Sequence, residues 1–319
     1  MNETWKAVRK YWPQYHWSNV GAMIRNMSKP PASCDEDFTG RLVVITGATA
    51  GIGYHTALYY AARGARLLTI NRNPTKSEAL CATLRQEFHA DCDYILADLS
   101  LLEAMHRAGQ ALAARQEPID VLIHNAGLYL SQRTVTADGL ETNFAVHFLA
   151  PFVINHLLKE KLKRDGRGRI LFVSSEGYRF AVWGLRFDDL QWEKRRYTGL
   201  KAYGTAKLAQ ILTMHILAEE LAPYGVTVNA MHPGMVRTNS GQQNGPLYRF
   251  FKRHVLDSLS QPADLSAQAL YYLGVSPALE GVTDKFFHFT TEEELTPPAQ
   301  DREAAERLWD ISLKLGRLA

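Results

Sequence analysis

Cysteine is scarce in this chain, with three in 319 residues: Cys34, Cys81 and Cys92. An odd number without metal-ligand spacing reads as reduced thiols of a cytosolic protein. The 11 histidines are scattered without a zinc spacing. Long apolar runs are missing too, and none approaches the length of a membrane span. The early residues Trp5, Arg9, Lys10, Trp12, Pro13 and His16 interrupt what would be the continuous apolar core of a signal peptide. Neither sign of charge dominates: 36 basic and 33 acidic side chains leave a net +3, which argues against nucleic acid as a partner. No Gly-x-Ser-x-Gly elbow is present, which disfavours a hydrolase. Internal repeats and low-complexity tracts are absent as well.

What is present is globular: 46% hydrophobic and 22% charged residues, in a chain long enough to bury a large core without staples. From about residue 38, short apolar runs alternate with amphipathic segments. Strands are expected at Leu42–Thr46, Leu67–Ile70, Tyr94–Ala97, Val121–His124, Ile170–Ser174 and Val226–Met231. Helices are expected through Leu58 and Ala62, around Leu80–Phe88 and Leu102–Ala113, in a long stretch before Ile170, and through Leu208–Leu221. This alternation predicts an α/β fold, a single doubly wound parallel sheet (Rossmann fold) with helices on both faces. The expected organisation is an N-terminal extension, residues 1–37, and one Rossmann-type domain, residues 38–319. Val20, Met23, Ile24 and Met27 sit at helical spacing in the extension. Ala304, Leu308, Ile311 and Leu315 do so near the C-terminus, where Asp301, Glu303, Lys314 and Arg317 suit the helix dipole.

Leu42-Val43-Val44-Ile45-Thr46 runs straight into Gly47-Ala48-Thr49-Ala50-Gly51-Ile52-Gly53. A strand, a turn with three glycines and a helix in that order suit a pyrophosphate, which needs close backbone approach and unpaired helical N–H groups. The second strand ends in Asn71-Arg72, with no acidic residue between Gly64 and Thr75. A carboxylate there would bond the ribose of NAD, whereas Arg72 can pair with the 2′-phosphate of NADP. The expected cofactor is therefore NADP(H).

Tyr203 and Lys207 are four residues apart and share one helical face. A lysine charge beside a phenol favours the phenolate, bringing a weak acid–base group toward its working range. Other markers occur in order: Asp98-Leu99, Asn125-Ala126-Gly127, Asn143, Val173-Ser174-Ser175 and His232-Pro233-Gly234. Together with the glycine turn they make residues 40–290 resemble the short-chain dehydrogenase/reductase family. Arg72, Phe187-Asp188-Asp189-Leu190, Lys207-Leu208-Ala209, Met235-Val236 and Arg307-Leu308-Trp309 are similar to its retinol dehydrogenase and WW-domain oxidoreductase group.

The resemblance implies roles. Ser175 would polarise the substrate oxygen, Tyr203 would exchange a proton with it, and Lys207 would lower the Tyr203 pKa and bond the nicotinamide ribose. Asn143 would hold a water linking Lys207 to solvent. Gly47, Thr49, Ala50, Gly51, Ile52 and Gly53 would cradle the phosphates, Asp98 and Leu99 would flank the adenine, and Asn125, Ala126 and Gly127 would line the cofactor bed. Pro233, Gly234, Val236 and Thr238 would border the nicotinamide, the last two holding its carboxamide. No metal is implied. Two departures stand out: a serine-to-tyrosine interval that is long for the family at 28 residues (203 − 175), and His124 where asparagine is usual before Asn125.

Substrate loops are expected at Glu176–Lys201 and Asn239–Pro262. The first carries Tyr178, Phe180, Trp183, Phe187 and Trp192, the second Leu247, Tyr248, Phe250, Phe251 and Leu256, content that suits an apolar alcohol, aldehyde or ketone. Two rivals are a non-catalytic NADP-binding regulatory protein on the same fold, against which the intact Ser175, Tyr203, Lys207 and Asn143 argue, and a nucleotide-sugar epimerase, for which the region after Gly234 is short. The extension, with Trp5, Tyr11, Trp12, Tyr15 and Trp17 among Lys6, Arg9, Lys10 and Arg25, fits peripheral membrane contact or packing on the domain or a partner subunit. The expected setting is cytoplasmic. Membrane contact and homo-oligomer formation are left open.

Overall fold

A computed structural model of the chain describes residues 3–26, 29–234 and 261–319. Two helices, α1 (Glu3–Tyr11) and α2 (Trp17–Asn26), precede the sheet. The sheet then builds by alternation: β1 (Leu42–Thr46), α3 (Gly51–Ala61), β2 (Arg66–Asn71), α4 (Pro74–Phe88), β3 (Cys92–Leu96), α5 (Leu102–Ala113) and β4 (Val121–His124). A short α6 (Thr142–Phe144) passes through one wide turn, Ala145–Leu149, into α7 (Ala150–Asp165). There follow β5 (Gly168–Val173), α8 (Gly199–Leu221), β6 (Val226–His232), α9 (Ala263–Val275), β7 (Phe286–His288), β8 (Thr291–Glu292) and α10 (Arg302–Leu315).

The eight strands lie in the order β3-β2-β1-β4-β5-β6-β7-β8, all parallel except β8. β1 is buried along its whole length, as a strand covered on both faces must be. Its residues divide by pleat: Leu42 and Val44 face a core closed by α5, α7, α8 and α10, while Val43 and Ile45 face one closed by α3, α4 and α9. The chain winds outward from β1 to β3, then returns on the other side of β1 with β4. That reversal opens a crevice at the carboxyl ends of β1 and β4, where a doubly wound sheet holds its ligand.

β1, α5 and β4 fall on the expected residues. β3 lies two residues earlier than Tyr94, because as an edge strand its limits follow its single ladder with β2, Leu67↔Cys92 through Asn71↔Leu96. α8 begins at Gly199, ahead of the expected Leu208. β7 and β8 were not expected. They are three and two residues long, too short for a period-2 pattern to register.

The expectation of three reduced thiols is corrected. Cys81 on α4 and Cys92 at the start of β3 form a disulfide, with Cα atoms 5.3 Å apart, while Cys34 is free. The cause is topological: α4 packs its buried face against the sheet edge, so that Cys81 lands on the first residue of the strand that follows.

The N-terminal extension packs on the domain. α1 ends before Pro13, whose ring ends a helix. Tyr11 is 6% exposed and its hydroxyl donates to Asp301, the residue that caps α10 by accepting from Ala304 N. Lys10 pairs with Asp301 at 2.6 Å and Glu303 at 3.1 Å. Tyr15 donates to the Val182 carbonyl at 2.8 Å, and the Trp12 and Tyr15 rings meet Trp183. The chain then runs along the domain, with Ala32 N donating to Thr290 Oγ1. Met27 and the side chain of Val20 lie outside the described residues. At the other end, Leu308 of α10 is fully buried and Trp309 packs edge-on against Phe152.

A chain beginning at Asp35 is therefore expected to melt at lower temperature than the full chain. Losing the Tyr11 bond alone costs about 1 kcal/mol, worth roughly 1–2 °C in a chain of this size. Differential scanning calorimetry checks this, and equal melting temperatures contradict the packing.

Candidate active site

The glycine turn is shaped by two close approaches. Gly47 has φ +70°, and a Cβ there would come within 2.8 Å of Ala126 Cα. A Cβ on Gly53 would stand 2.4 Å from both Asn125 Nδ2 and Gly47 O. Only glycine fits the first place, by dihedral angle and by space. Ala50, which precedes α3, offers no side-chain cap, so the first N–H groups of the helix face the crevice unpaired. An open helix N-terminus over a glycine turn suits a pyrophosphate.

Two amides hold this turn. Asn125 Nδ2 donates to Thr46 O at 3.1 Å and Gly47 O at 2.8 Å, while Thr46 Oγ1 accepts from Asn125 N and Ala126 N. Asn71, which the sequence reading passed over, accepts from Ala48 N at 2.8 Å. The strand ends of β1, β2 and β4 are thus bonded to one another directly beneath the crevice. Arg72 stands next, exposed, at the place where a ribose phosphate would lie.

Other expected cofactor contacts fall into two groups. Thr49, Ala50, Gly127 and Asp98 are accessible at the strand ends. Asp98 accepts from Ser100 N and Oγ, closing a turn after β3. Leu99 and Ile52 instead point inward, at 7% and 9% exposure. Gly234 ends β6 with φ +73°, close against Phe289, and the Pro233 carbonyl accepts from Ser266 Oγ. Val236 and Thr238 lie outside the described residues, as does nearly all of the second substrate loop. His124 is turned away from the crevice: it bonds Asn155 at 2.8 Å and stacks on Phe172.

Tyr203 and Lys207 share one face of α8. Lys207 Nζ lies 5.8 Å from the Tyr203 ring centroid and donates to the Val173 carbonyl at 2.7 Å. Ser175 follows two residues after that carbonyl and stands beside the Tyr203 phenol, whose pKa it lowers, its Oγ accepting from Gly177 N. A Cβ on Gly177 would come within 2.8 Å of the Tyr203 ring, so the bare backbone there lets α8 and the serine segment touch. Serine, tyrosine and lysine therefore converge at the carboxyl end of β5.

Burial pulls the Lys207 ammonium down to about 7. Burial pushes the Tyr203 phenol up, while the neighbouring Ser175 hydroxyl pulls it down. The expected lowering by Lys207 is not what prevails, because desolvation outweighs it and a lysine titrating near 7 is only partly charged at neutrality.

Asn143 was expected beside Lys207. Its amide instead donates to Glu141 Oε1 at 2.9 Å and the Tyr197 hydroxyl at 2.7 Å, and Tyr197 donates to Glu141 in turn. Glu141 is fully buried and caps α6. Asn143 thus ties α6 to the segment before α8. The side chain of this stretch that meets Tyr203 is His147, one helical turn on.

Of the first loop's aromatics, Tyr178 and Trp192 are core: Tyr178 accepts from Thr296 N, and Trp192 donates to Thr205 under the Arg195 guanidinium. Phe180 is half exposed. Beyond Ser175, Arg179 bridges Glu176 and Glu293, holding the loop to β8. His288, Glu176 and Glu293 could together offer ligand atoms to a cation, but the Arg179 guanidinium already supplies the positive charge there.

A family model described as short chain dehydrogenase matches residues 41–184, and one described as Enoyl-(Acyl carrier protein) reductase matches residues 190–288. Retinol dehydrogenase 13 of Homo sapiens is 35% identical over 283 residues, covering 86% of this chain and 84% of that protein. The WW domain-containing oxidoreductase of Homo sapiens is 34% identical over 289 residues, 88% of this chain and 69% of that protein. A short-chain dehydrogenase from Sphingobium yanoikuyae, solved in complex with NADPH, is 26% identical with a TM-score of 0.58, covering 73% of this chain and 84% of that one. With a strand–glycine turn–helix at the switch point and Ser175, Tyr203 and Lys207 gathered beside it, the chain belongs to the short-chain dehydrogenase/reductase family.

The buried lysine makes a stability prediction. Its folded pKa of about 7 lies below the ordinary 10.5, so the unfolded state binds more protons between those values and stability from this group rises with pH across that window. Relative to Lys207→Met, the wild-type chain should gain melting temperature between pH 7 and pH 9. A gap independent of pH would place Lys207 in a hydrated site.

Proposed function

We propose that the protein is an NADP(H)-dependent oxidoreductase that interconverts an alcohol and a carbonyl group on an apolar substrate. The observation that carries this reading is the convergence of Ser175, Tyr203 and Lys207 at the end of β5, beside an uncapped helix over a glycine turn. The nicotinamide, when bound, supplies or accepts the hydride. The protein's own groups supply position and the proton. Ser175 donates a hydrogen bond to the substrate oxygen. The Tyr203 hydroxyl gives that oxygen its proton in reduction and takes it back in oxidation. Lys207 bonds the nicotinamide ribose, and its charge, while present, favours the phenolate. Asn143 donates its amide N–H groups to Glu141 and Tyr197, while its buried Oδ1 has no partner among the described residues and can accept from a water linking Lys207 to solvent.

Arg72 supports the choice of NADP(H), as does the NADPH held by the Sphingobium yanoikuyae relative. Its exposed guanidinium can pair with a ribose phosphate in a charge-assisted bond. The α3 N-terminus takes the pyrophosphate, Asp98 the adenine end, and Asn125, Ala126 and Gly127 the floor. Val236 and Thr238 are assigned to the carboxamide on the resemblance alone. An apolar substrate suits the Tyr129 ring, edge-on to Tyr203 with centroids 6.0 Å apart, and Phe180 at the loop surface.

The extension adds a second element to this reading. Trp5 and Trp12 are each 64% exposed, with Lys6 and Arg9 accessible beside them. Aromatic rings and cations together favour an anionic bilayer surface, where an apolar substrate also concentrates. No helix among the described residues is long and apolar enough to cross a membrane. The protein is read as touching a membrane surface peripherally through this extension.

Purified protein incubated with NADPH and a panel of lipophilic aldehydes, ketones and quinones should consume the cofactor, read by its absorbance. No consumption with any of them would sink the reading. NADPH should bind tighter than NADH by about 1–3 kcal/mol, and Arg72→Ala should lose most of that preference. Equal affinities in a titration at moderate salt would assign Arg72 to the solvated surface. The full chain should pellet with anionic vesicles, and a chain beginning at Asp35 should not. Both remaining in the supernatant would end the membrane proposal.

A further inference from the structure

His147 sits in the wide turn between α6 and α7. A turn of this kind inserts one extra residue into a helix and re-aims its side chains. Here it carries the imidazole to the meeting point of three elements. The ring stands nearly perpendicular to the Tyr203 ring, at 87° with centroids 5.1 Å apart. Its Nε2 lies 2.6 Å from the Leu128 carbonyl, just after the Asn125-Ala126-Gly127 floor. The ring also lies flush against that floor, since a Cβ on Gly127 would come within 2.6 Å of His147 Cε1. The backbone carbonyl of His147 accepts from Gln210 Nε2 at 3.0 Å, one turn beyond Lys207 on α8.

Nε2 also lies 3.2 Å from Leu128 N, but the shorter contact with the carbonyl oxygen assigns the proton to Nε2, which leaves Nδ1 as a bare acceptor. Nδ1 is buried with no partner. The imidazole is neutral: burial and the facing Lys207 ammonium hold its pKa down to about 3. It therefore contributes a directed N–H, a flat apolar wall and no charge.

We propose that His147 is a positioning residue of the catalytic centre, clamping the cofactor floor at Leu128 through its N–H and fixing Tyr203 while keeping water from Lys207 through its ring. The proposal rests on the oxidoreductase reading for its kinetic consequences, but not for its structural ones. Lys207 lies against Tyr203 on its own helix and the Val173 carbonyl on β5; His147 packs on the same Tyr203 ring, and both it and His232 on β6 are near enough to feel the Lys207 charge. Among the described residues no acidic group contributes to its shift, so its low pKa depends on the dryness of these walls, and His147 is one of them.

Three substitutions separate the two functions. His147→Ala removes both the N–H and the wall. His147→Leu keeps a wall but loses the N–H. His147→Asn keeps an amide N–H for Leu128 O. The first readout needs no turnover: an NMR titration of 13C-labelled lysine, with the Lys207 signal identified by its loss in Lys207→Met. The wild-type midpoint should lie near 7. In His147→Ala it should rise by about one unit or more as water enters, and in His147→Leu it should stay near the wild-type value. A merely structural role would lower the melting temperature without moving this midpoint.

The second readout is kinetic, on a substrate that the wild type reduces. His147→Ala should lose kcat by about tenfold or more, since proton transfer depends on the placing of Tyr203. His147→Leu should raise KM for NADPH with a smaller loss of kcat, and His147→Asn should restore that KM. A wild-type midpoint in His147→Ala overturns the proposal whether or not a substrate has been found, as does an unchanged kcat in that variant. A wild type without turnover, but with the predicted midpoint shift, would overturn the oxidoreductase reading and leave the positioning of Lys207 by His147 standing.

Discussion

The architecture of the site depends on one hydrogen bond, from the Lys207 ammonium to the Val173 carbonyl at 2.7 Å. An ammonium is costly to bury, and this one is reached only because α8 lies directly over the end of β5. The bond ties helix to strand two residues before Ser175, bringing the serine hydroxyl to the Tyr203 phenol. It also fixes the residues between them: Gly177 and Gly204 are bare because the serine segment and α8 touch there, and a Cβ on Gly204 would stand 2.6 Å from Gly177 O.

The second constraint is the stitching of strand ends. β1 and β4 part at the point where the sheet's order reverses, and a crevice there would leave backbone groups without partners. Thr46, Asn71 and Asn125 supply them. The same bonds hold the glycine turn in place at the crevice. His147 extends the arrangement, since its bond to Leu128 connects this floor to the wide turn packed on α8.

Most of the sheet could be read from the chain because its inner strands hold short runs rich in Val, Leu and Ile. Such runs are the mark of a strand buried on both faces. β7 escaped because Phe286–His288 is too short to show a period. The Cys81–Cys92 pair escaped because a count of cysteines carries no geometry, and the bridge exists only once α4 is laid on the sheet edge. Among the site residues, the glycine turn, Ser175, Tyr203 and Lys207 belong to ordered motifs, and the structure brings them together. Asn143 and His147 differ by one helical turn in a stretch whose winding changes at Ala145–Leu149. Spacing on a regular helix cannot show which of them faces Tyr203. Asn71 was hidden beside the more conspicuous Arg72, although a polar residue ending an apolar strand was a usable signal. The packing of the extension was only half legible: its helices followed from periodicity and Pro13, but the bond from Tyr11 to Asp301 joins residues 290 positions apart.

The central claim is that Tyr203 exchanges the proton in a site otherwise built to hold the nicotinamide cofactor. Tyr203→Phe removes one hydroxyl and keeps the ring that packs against His147 and Tyr129. The most direct test pairs two measurements on this variant: NADPH affinity by fluorescence titration, and turnover on a carbonyl substrate that the wild type reduces. The account predicts near wild-type affinity with turnover reduced by a factor on the order of a hundred or more. Near wild-type turnover in Tyr203→Phe would contradict it.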